Sequence, residues 1–292
     1  MSLFITSLNS GSNGNCYYVG NENEAVLIDA GISCREIEKR LLRLELSIGK
    51  IKAIFISHEH SDHIKGVAVL SRKHKLPVYI TRATLKSGGL QLDEELVKEF
   101  TGYQNIMIGD LNIMAFPKFH DASDPHSFIV SGNGIKIGVL TDIGSICKHV
   151  IEAFKQCHAA FLETNYDEEM LEGGNYPFYL KRRIQSSHGH LSNDQALELF
   201  VNHRAPFLTH VLLSHLSREN NSPQLAQQLF DKHAGKTKVI VATRDYETAV
   251  FNIQANSVED MELKLTSESP PVTAFTKTLQ TALPPIVQMS LF

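Results

Sequence analysis

His58-Glu59-His60-Ser61-Asp62-His63 sets four side chains with metal-binding chemistry inside six residues, directly after the apolar, β-branched stretch Ile51 to Ser57. Any fold of this chain must therefore end a strand at a polar edge and turn there. Residues two apart in an extended segment point the same way, so His58 and His60 can share one metal. Asp62 and His63, entering the next helix, turn toward a second. A chance surface cluster of His and Asp would not need a strand feeding straight into it.

The surrounding pattern supplies a frame for such an edge. Leu3 to Leu8, Cys16 to Val19 and Ala25 to Asp29 read as short strands separated by Gly/Asn/Ser turns. Ser33 opens a helical pattern through Ile37, Leu41, Leu42 and Leu44 that Gly49 closes, and Ile64 to His74 reads as one further helix. Pro77 to Thr81 reads as a strand, and several short strands follow between Phe100 and Leu140. Beyond them the spacing predicts a helix near Ile146 to Gln156, a strand at Ala159 to Glu163, and helices around Tyr166 to Leu171 and Tyr176 to Ser186. A helix from Asn193 to His203 and a strand at Leu208 to Ser214 complete the order, which predicts an α/β chain of two sheets flanked by helices. Residues 1–254 are expected to form one domain, and the Ser/Thr/Pro-rich residues 255–292 a flexible tail.

Composition narrows the class. No apolar run approaches the length of a membrane span, and the start lacks a basic region with an apolar core behind it, so a cytoplasmic protein with no membrane partner is expected. Cys16, Cys34, Cys147 and Cys157 lack C-x-x-C spacing and read as free thiols. A net charge of -4 lays down no global footprint for nucleic acid, although Lys181, Arg182 and Arg183 form a local basic patch that is either a backbone track or a solvated helix face.

A dinuclear centre needs ligands beyond one cluster and an anionic group shared between the ions. His120 lies after the strand around Ile113 to Phe116, Asp142 after Ile135 to Leu140, and His215 after Leu208 to Ser214. Each alone could be an ordinary surface residue. Together they place three donors at the ends of three strands.

With these residues the chain resembles the metallo-β-lactamase fold superfamily over roughly residues 1–250. The resemblance implies an αββα sandwich of two mixed sheets with two metals at one edge. It implies His58, His60 and His120 on the first metal, Asp62, His63 and His215 on the second, and Asp142 bridging. No cysteine takes part, as in the phosphodiesterase and nuclease branches and unlike the lactam hydrolases. Six words appear in order: Ser10 to Cys16, His120-Asp121-Ala122, Thr141 to Gly144, Glu163 to Asp167, Gly189 to Asn193, and Leu213 to Ser217 with Asn220-Asn221 after it. They are similar to those of the bacterial WalJ (YycJ) group, regarded as 5′ to 3′ exonucleases on double-stranded DNA. His126 departs from that pattern, where a smaller residue is expected.

The resemblance implies hydrolysis by a metal-bridged hydroxide that Asp62 orients, with the ions being zinc, manganese or iron, since an all-N/O donor set does not force zinc. The Gly189-His190-Leu191-Ser192 segment resembles the catalytic His segment of RNase Z enzymes, so His190 is expected to contact the scissile phosphate or protonate the leaving 3′ oxygen. A helix-capping neighbourhood is the alternative. Ser10 to Asn15 reads as a phosphate-facing loop or as a simple hairpin turn. Gln288, Leu291 and Phe292 resemble a peptide that docks into the bacterial sliding clamp. Rival readings are an RNase Z-like RNA-processing nuclease and a small-molecule phosphodiesterase or lactonase; the expected partner is duplex DNA with a free 5′ end.

Overall fold

The computed structural model describes residues 2–255. The peptide at Gln288, Leu291 and Phe292 lies outside the described residues.

Two sheets form from alternating and continuous apolar runs. The first holds β1 (Ser2–Asn9), β2 (Cys16–Gly20), β3 (Ala25–Ile28), β4 (Ile51–Phe55), β5 (Val78–Ile80) and β6 (Val97–Glu99). The second holds β7 (Asn105–Ile108), β8 (Leu111–Pro117), β9 (His126–Gly132), β10 (Ile135–Leu140), β11 (Ala159–Glu163), β12 (His210–Ser214) and β13 (Lys238–Val241). Then β14 (Phe251–Gln254) returns to pair antiparallel with β1, so the orders are β14-β1-β2-β3-β4-β5-β6 and β13-β12-β11-β10-β9-β8-β7. Each sheet is antiparallel in part and parallel in part, the parallel pairs running from β3 to β6 and from β10 to β13.

Apolar faces explain the layering. Between the sheets Tyr17 packs on Phe161 at 4.8 Å between ring centroids, and Phe55 on Phe128 at 5.9 Å. Truncating such a buried ring costs about 3–5 kcal/mol. Outside the first sheet, Leu27, Ile54 and Val78 face Ile37 and Leu41 of α1 (Cys34–Arg43) and Val67 and Leu70 of α3 (Val67–His74). Outside the second, Leu140, Leu162 and Leu213 face α5 (Lys148–Phe154), α8 (Asn193–His203) and α9 (Pro223–Asp231) through Phe154, Phe200 and Phe230. Because parallel strands are covered on both faces, β11 is buried at every residue and its sequence does not alternate.

Some elements differ from expectation. The helix opened by Ser33 ends at Arg43, before Gly49, and a short 3-10 turn at Ile48–Lys50 leads into β4. Ile64 to His74 is not one helix: α2 (Ser61–Ile64) and α3 are separated at Gly66, whose N-H bonds the Ala30 carbonyl at 2.8 Å. A Cβ there would meet Ile32 O at 2.0 Å, so the backbone approach demands glycine. The helices α4 (Arg82–Gly88), α6 (Glu168–Gly173) and α7 (Phe178–Ile184) are short surface turns of seven residues or fewer.

Candidate metal centre

The parallel strands deliver the site. Ligands in such sheets gather outside the carboxyl ends of the strands, and there lie Asp29 after β3, the His58 segment after β4, Asp142 after β10, Glu163 at the end of β11 and His215 after β12. His120 follows β8, two strands beyond β10 across the antiparallel β9. The Ser57 carbonyl accepts from the His126 N-H at 2.9 Å, tying the end of one sheet to the other beneath the site.

Extended backbone at His60 followed by the α2 turn separates the first cluster into two directions. His58, His60 and His120 converge: His60 Nδ1 lies 3.1 Å from His58 Nε2 and 3.3 Å from His120 Nε2. Asp62, His63 and His215 form the other group, with Asp62 Oδ2 3.5 Å from His63 Nε2 and 3.4 Å from His215 Nε2. Asp142 stands between them, Oδ2 3.3 Å from His63 Nε2 and Oδ1 3.5 Å from His215 Nε2 and 3.9 Å from His120 Nε2. All seven residues chosen from the sequence are thus brought together.

The outer ring nitrogens fix what the inner ones can do. His63 Nδ1 faces Asp29 Oδ2 at 2.7 Å, His120 Nδ1 the Gly189 carbonyl at 3.0 Å, and His215 Nδ1 Glu163 Oε1 at 3.0 Å. These partners only accept, so the proton of each neutral imidazole sits on Nδ1. His58 Nδ1 faces Ser57 Oγ at 2.9 Å, and that hydroxyl already donates to Asp29 Oδ2 at 2.7 Å. Ser57 is therefore also an acceptor. Four imidazoles consequently aim Nε2 lone pairs inward, the arrangement in which outer partners set ligand tautomers. Asp142 Oδ2 is buried and lacks a hydrogen-bond donor among the described residues. An orphaned carboxylate oxygen amid converging lone pairs fits divalent cation binding.

Electrostatics point the same way. Burial would lower the His215 pKa, yet Asp142 and the bonds to Asp62 and Glu163 carry it up to about 10. Against the same penalty, Asp142, Asp29 and Asp62 hold His63 well above the usual range. In the first group burial dominates, and His120 is pushed down to about 3 with Lys118 contributing. Burial thus favours neutral His58 and His120, while the carboxylates around His63 and His215 collect positive charge.

His190 lies beside both groups, its ring centroid 5.1 Å from those of His120 and His215, and its Nδ1 bonds Glu163 Oε1 at 2.8 Å. Nε2 is then its remaining polar atom. The capping box of α8 is made by Ser192 and Gln195, so helix capping does not occupy His190. Together with Ser12, Ser61 and Arg183, the residues His60, Asp62, Asp142, His190 and His215 line a cleft of roughly 260 Å³.

Several important residues escaped the sequence reading. Glu163, fully buried, accepts from both His190 and His215, while its Oε2 accepts from the Ile143 and Leu191 N-H groups at 2.6 and 3.3 Å. Asp29 performs the same service for His63 and Ser57. Buried Lys118 donates to the Thr141 carbonyl at 2.6 Å, directly behind Asp142. A carboxylate at a strand end was the available signal for Asp29 and Glu163. The Ser10 to Asn15 loop supports the centre from behind: Asn15 Nδ2 donates to Asp62 Oδ2 at 3.2 Å and Ser10 Oγ accepts from the His215 N-H at 2.7 Å. Of that loop, Ser12 lines the cleft. His126 is buried against Phe100 and is a packing residue, while exposed His188 rests on Phe119.

Comparison with known proteins agrees with this geometry. Residues 24–215 match the family model described as a beta-lactamase superfamily domain. The chain is 36% identical over 232 residues to exodeoxyribonuclease YycJ of Bacillus anthracis, covering 78% of this chain and 87% of that protein. Exodeoxyribonuclease WalJ of Streptococcus pneumoniae is 33% identical over 226 residues, covering 75% and 83%. Among solved structures, the metallo-beta-lactamase fold protein YhfI from Bacillus subtilis superposes with a TM-score of 0.68 at 16% identity, covering 86% of this chain and all of that one. Human tRNase Z, short form, gives 0.58 at 16% identity, covering 84% and 98%.

Proposed function

The chain belongs to the metallo-β-lactamase superfamily and to its YycJ and WalJ group, and from that membership we propose a dinuclear metal-dependent exonuclease that digests double-stranded DNA from 5′ to 3′. The observation that carries the metal chemistry is the approach of the His63, His120 and His215 Nε2 atoms to Asp142, 3.3–3.9 Å from its two oxygens, of which Oδ2 is buried and donor-less among the described residues. His58, His60 and His120 would hold one ion, Asp62, His63 and His215 the other, with Asp142 shared; zinc and manganese suit these donors, and iron is compatible. When bound, two such ions supply Lewis acidity and lower the pKa of water from about 15.7 toward about 7.

The chain's own groups do the rest. Asp62, at the mouth of the cleft, orients the attacking water. His190, with its Nδ1-H held by Glu163, turns Nε2 to the scissile phosphate and gives a proton to the leaving 3′ oxygen. Glu163 stabilises the imidazolium that precedes that transfer, because its carboxylate is kept ionised: burial would raise its pKa, but His190 and His215 bring it down to about 2. DNA as substrate rests on the exodeoxyribonuclease relatives, and cytoplasmic residence is part of the same reading. No helix among the described residues is long and apolar enough to cross a membrane. The tail residues Gln288, Leu291 and Phe292 are proposed to dock into a sliding clamp, and equal clamp pull-down with and without them would reject that role.

The test is digestion of 5′-labelled duplex DNA, single-stranded RNA and a simple phosphodiester ester by the wild type and His190→Ala, with and without added metal. Duplex DNA is expected to be shortened from its 5′ end only with metal, and His190→Ala to be slower by about 10²–10⁴-fold at unchanged metal content. Preferred cleavage of RNA, or of the small ester alone, would overturn the DNA assignment.

A further inference from the structure

The cleft opens onto a surface that the chemistry above leaves unused. Helix α7 leads into the turn that carries His190, whose N-H bonds the Ile184 carbonyl at 2.9 Å. None of its residues is fully buried, so core packing does not dictate its composition. Phe178 and Tyr179 are 72% and 73% exposed, the two most exposed large aromatic side chains among the described residues. Lone apolar side chains on a surface are ordinary. Two adjacent rings followed by Lys181-Arg182-Arg183 are a different composition.

Helical spacing orders these groups. Tyr179 and Arg183 are four apart and share a face, separated by about 6 Å along the axis. Phe178 and Arg182 share the next face, the guanidinium 5.1 Å from the ring centroid. Arg183 lines the cleft with Asp62 and His190 and pairs with Asp121. The Tyr179 ring thus stands one helical turn from a cleft-lining cation, within roughly two base steps of 3.4 Å.

Resting on the nuclease reading, we propose that α7 is a strand-binding platform: Arg182 and Arg183 hold backbone phosphates, and Phe178 and Tyr179 stack on bases of the strand entering the cleft. Every base presents a π-face, so stacking grips a strand without reading its sequence, as a non-selective exonuclease requires. Guanidinium groups match phosphate oxygens in pairs and release counterions on binding. Charge and continuity with the cleft select a nucleic-acid strand as the occupant.

The experiment compares kcat/KM on a 5′-phosphorylated duplex with kcat/KM on thymidine 5′-p-nitrophenyl phosphate, a substrate too short to reach α7. In the full-length, metal-loaded Phe178→Ala/Tyr179→Ala variant the duplex-to-ester ratio is expected to fall by roughly tenfold to a hundredfold. Phe178→Leu/Tyr179→Leu retains apolar bulk without the π-face, guards against misfolding, and should show the same loss. A wild-type ratio in the Leu variant overturns the stacking role. A wild-type ratio in both variants, with a wild-type dimer becoming monomeric, overturns the platform and makes the surface a contact between copies. Failure of the wild type to degrade DNA overturns the nuclease reading itself, and the platform with it.

Discussion

Glu163→Gln removes one charge and almost no volume, and its consequence follows from four hydrogen bonds. Oε1 faces His190 Nδ1 at 2.8 Å and His215 Nδ1 at 3.0 Å; Oε2 faces the Ile143 and Leu191 N-H groups at 2.6 and 3.3 Å. All four partners donate to a carboxylate that only accepts. A glutamine offers one carbonyl oxygen and one NH₂, so one pair of donors must meet another donor. The backbone N-H groups have no alternative state, and leaving both unpaired costs about 1–3 kcal/mol each. The imidazoles do have one: moving their protons to Nε2 lets Nδ1 accept from the amide. Glutamine is therefore expected to keep its oxygen on the backbone and to flip the histidine tautomers. That puts a hydrogen where His215 must offer a lone pair, and it reverses the edge of His190 that faces the cleft. Loss of an outer partner of this kind weakens metal binding by about 10–100-fold, and loss of a correctly protonated acid slows turnover by about 10²–10⁴-fold. Isothermal titration with zinc or manganese into the stripped protein measures the first, and saturating-substrate digestion of duplex DNA the second. Wild-type metal affinity together with turnover within twofold of wild type would refute the reasoning.

Other perturbations follow from the same contacts. His63→Ala removes a donor shared by the Asp62 and Asp142 sides of the centre; it should lower metal content toward one ion per chain and nuclease rate by more than about a hundredfold, with an unchanged far-ultraviolet spectrum, as metal analysis and digestion will show. Gly31→Ala places a Cβ 1.6 Å from the Asp62 carbonyl oxygen and 2.6 Å from Asn15 N, so either the fold loses about 3 kcal/mol or more or the Asp62 turn moves; thermal melting and metal content are the readouts, and wild-type values for both would contradict the packing. Cys16, Cys34 and Cys157 are buried and Cys147 is partly exposed, with burial pushing the Cys157 thiol up to about 12. Native protein should release one equivalent with an aromatic disulfide reagent and four after unfolding; rapid release of more than one refutes the burial.

Much of the centre was readable because metal chemistry uses a small residue vocabulary. His58 to His63 announce themselves by adjacency, and His120, Asp142 and His215 by standing after apolar runs long enough to be strands. Glu163 stands in the same kind of place, after Ala159 to Leu162, but nothing local separates a candidate metal ligand from a residue that holds such a ligand's far nitrogen. Strand order separates them, since β11 lies between β10 and β12 and brings Glu163 beneath both Asp142 and His215. The fold shows the same division. Ala159–Glu163 and Asn193–His203 match their sequence boundaries, the first from its uninterrupted apolar run and the second from its Ser192 cap. β14 has four residues, too few for a pattern, and acquires its identity only by pairing Phe251 to Gln254 with Ile5 to Ser2 at the far end of the chain. Gly66 broke a helix that periodicity alone would continue, because the close partner is the Ala30 backbone in another element.

Backbone conformation links the site to stability. Asp29, Asp142 and His215 have φ of 61°, 55° and 59°, each just past the end of a parallel strand. A left-handed residue other than glycine costs about 1–2 kcal/mol, so three of them absorb a sizeable share of the 5–15 kcal/mol that separates a folded domain from its unfolded chain. The turn folds each side chain back over the sheet edge, and glycine would relax it only by deleting the group it positions. The same edge also gathers the Asp62, Asp142 and Glu163 carboxylates around His215. Ions that bind this arrangement and not the unfolded chain should therefore stabilise it, by about 2.7–4.1 kcal/mol at free concentrations 100 to 1,000 times Kd. For a body of this size each kcal/mol moves Tm by about 2–4 °C, so chelation is expected to lower Tm by roughly 5–15 °C, reversibly on restoring zinc or manganese. Differential scanning fluorimetry on the stripped and reloaded protein measures it, and an unchanged Tm in a sample whose metal content has fallen to zero would show that these seven side chains hold no stabilising ion.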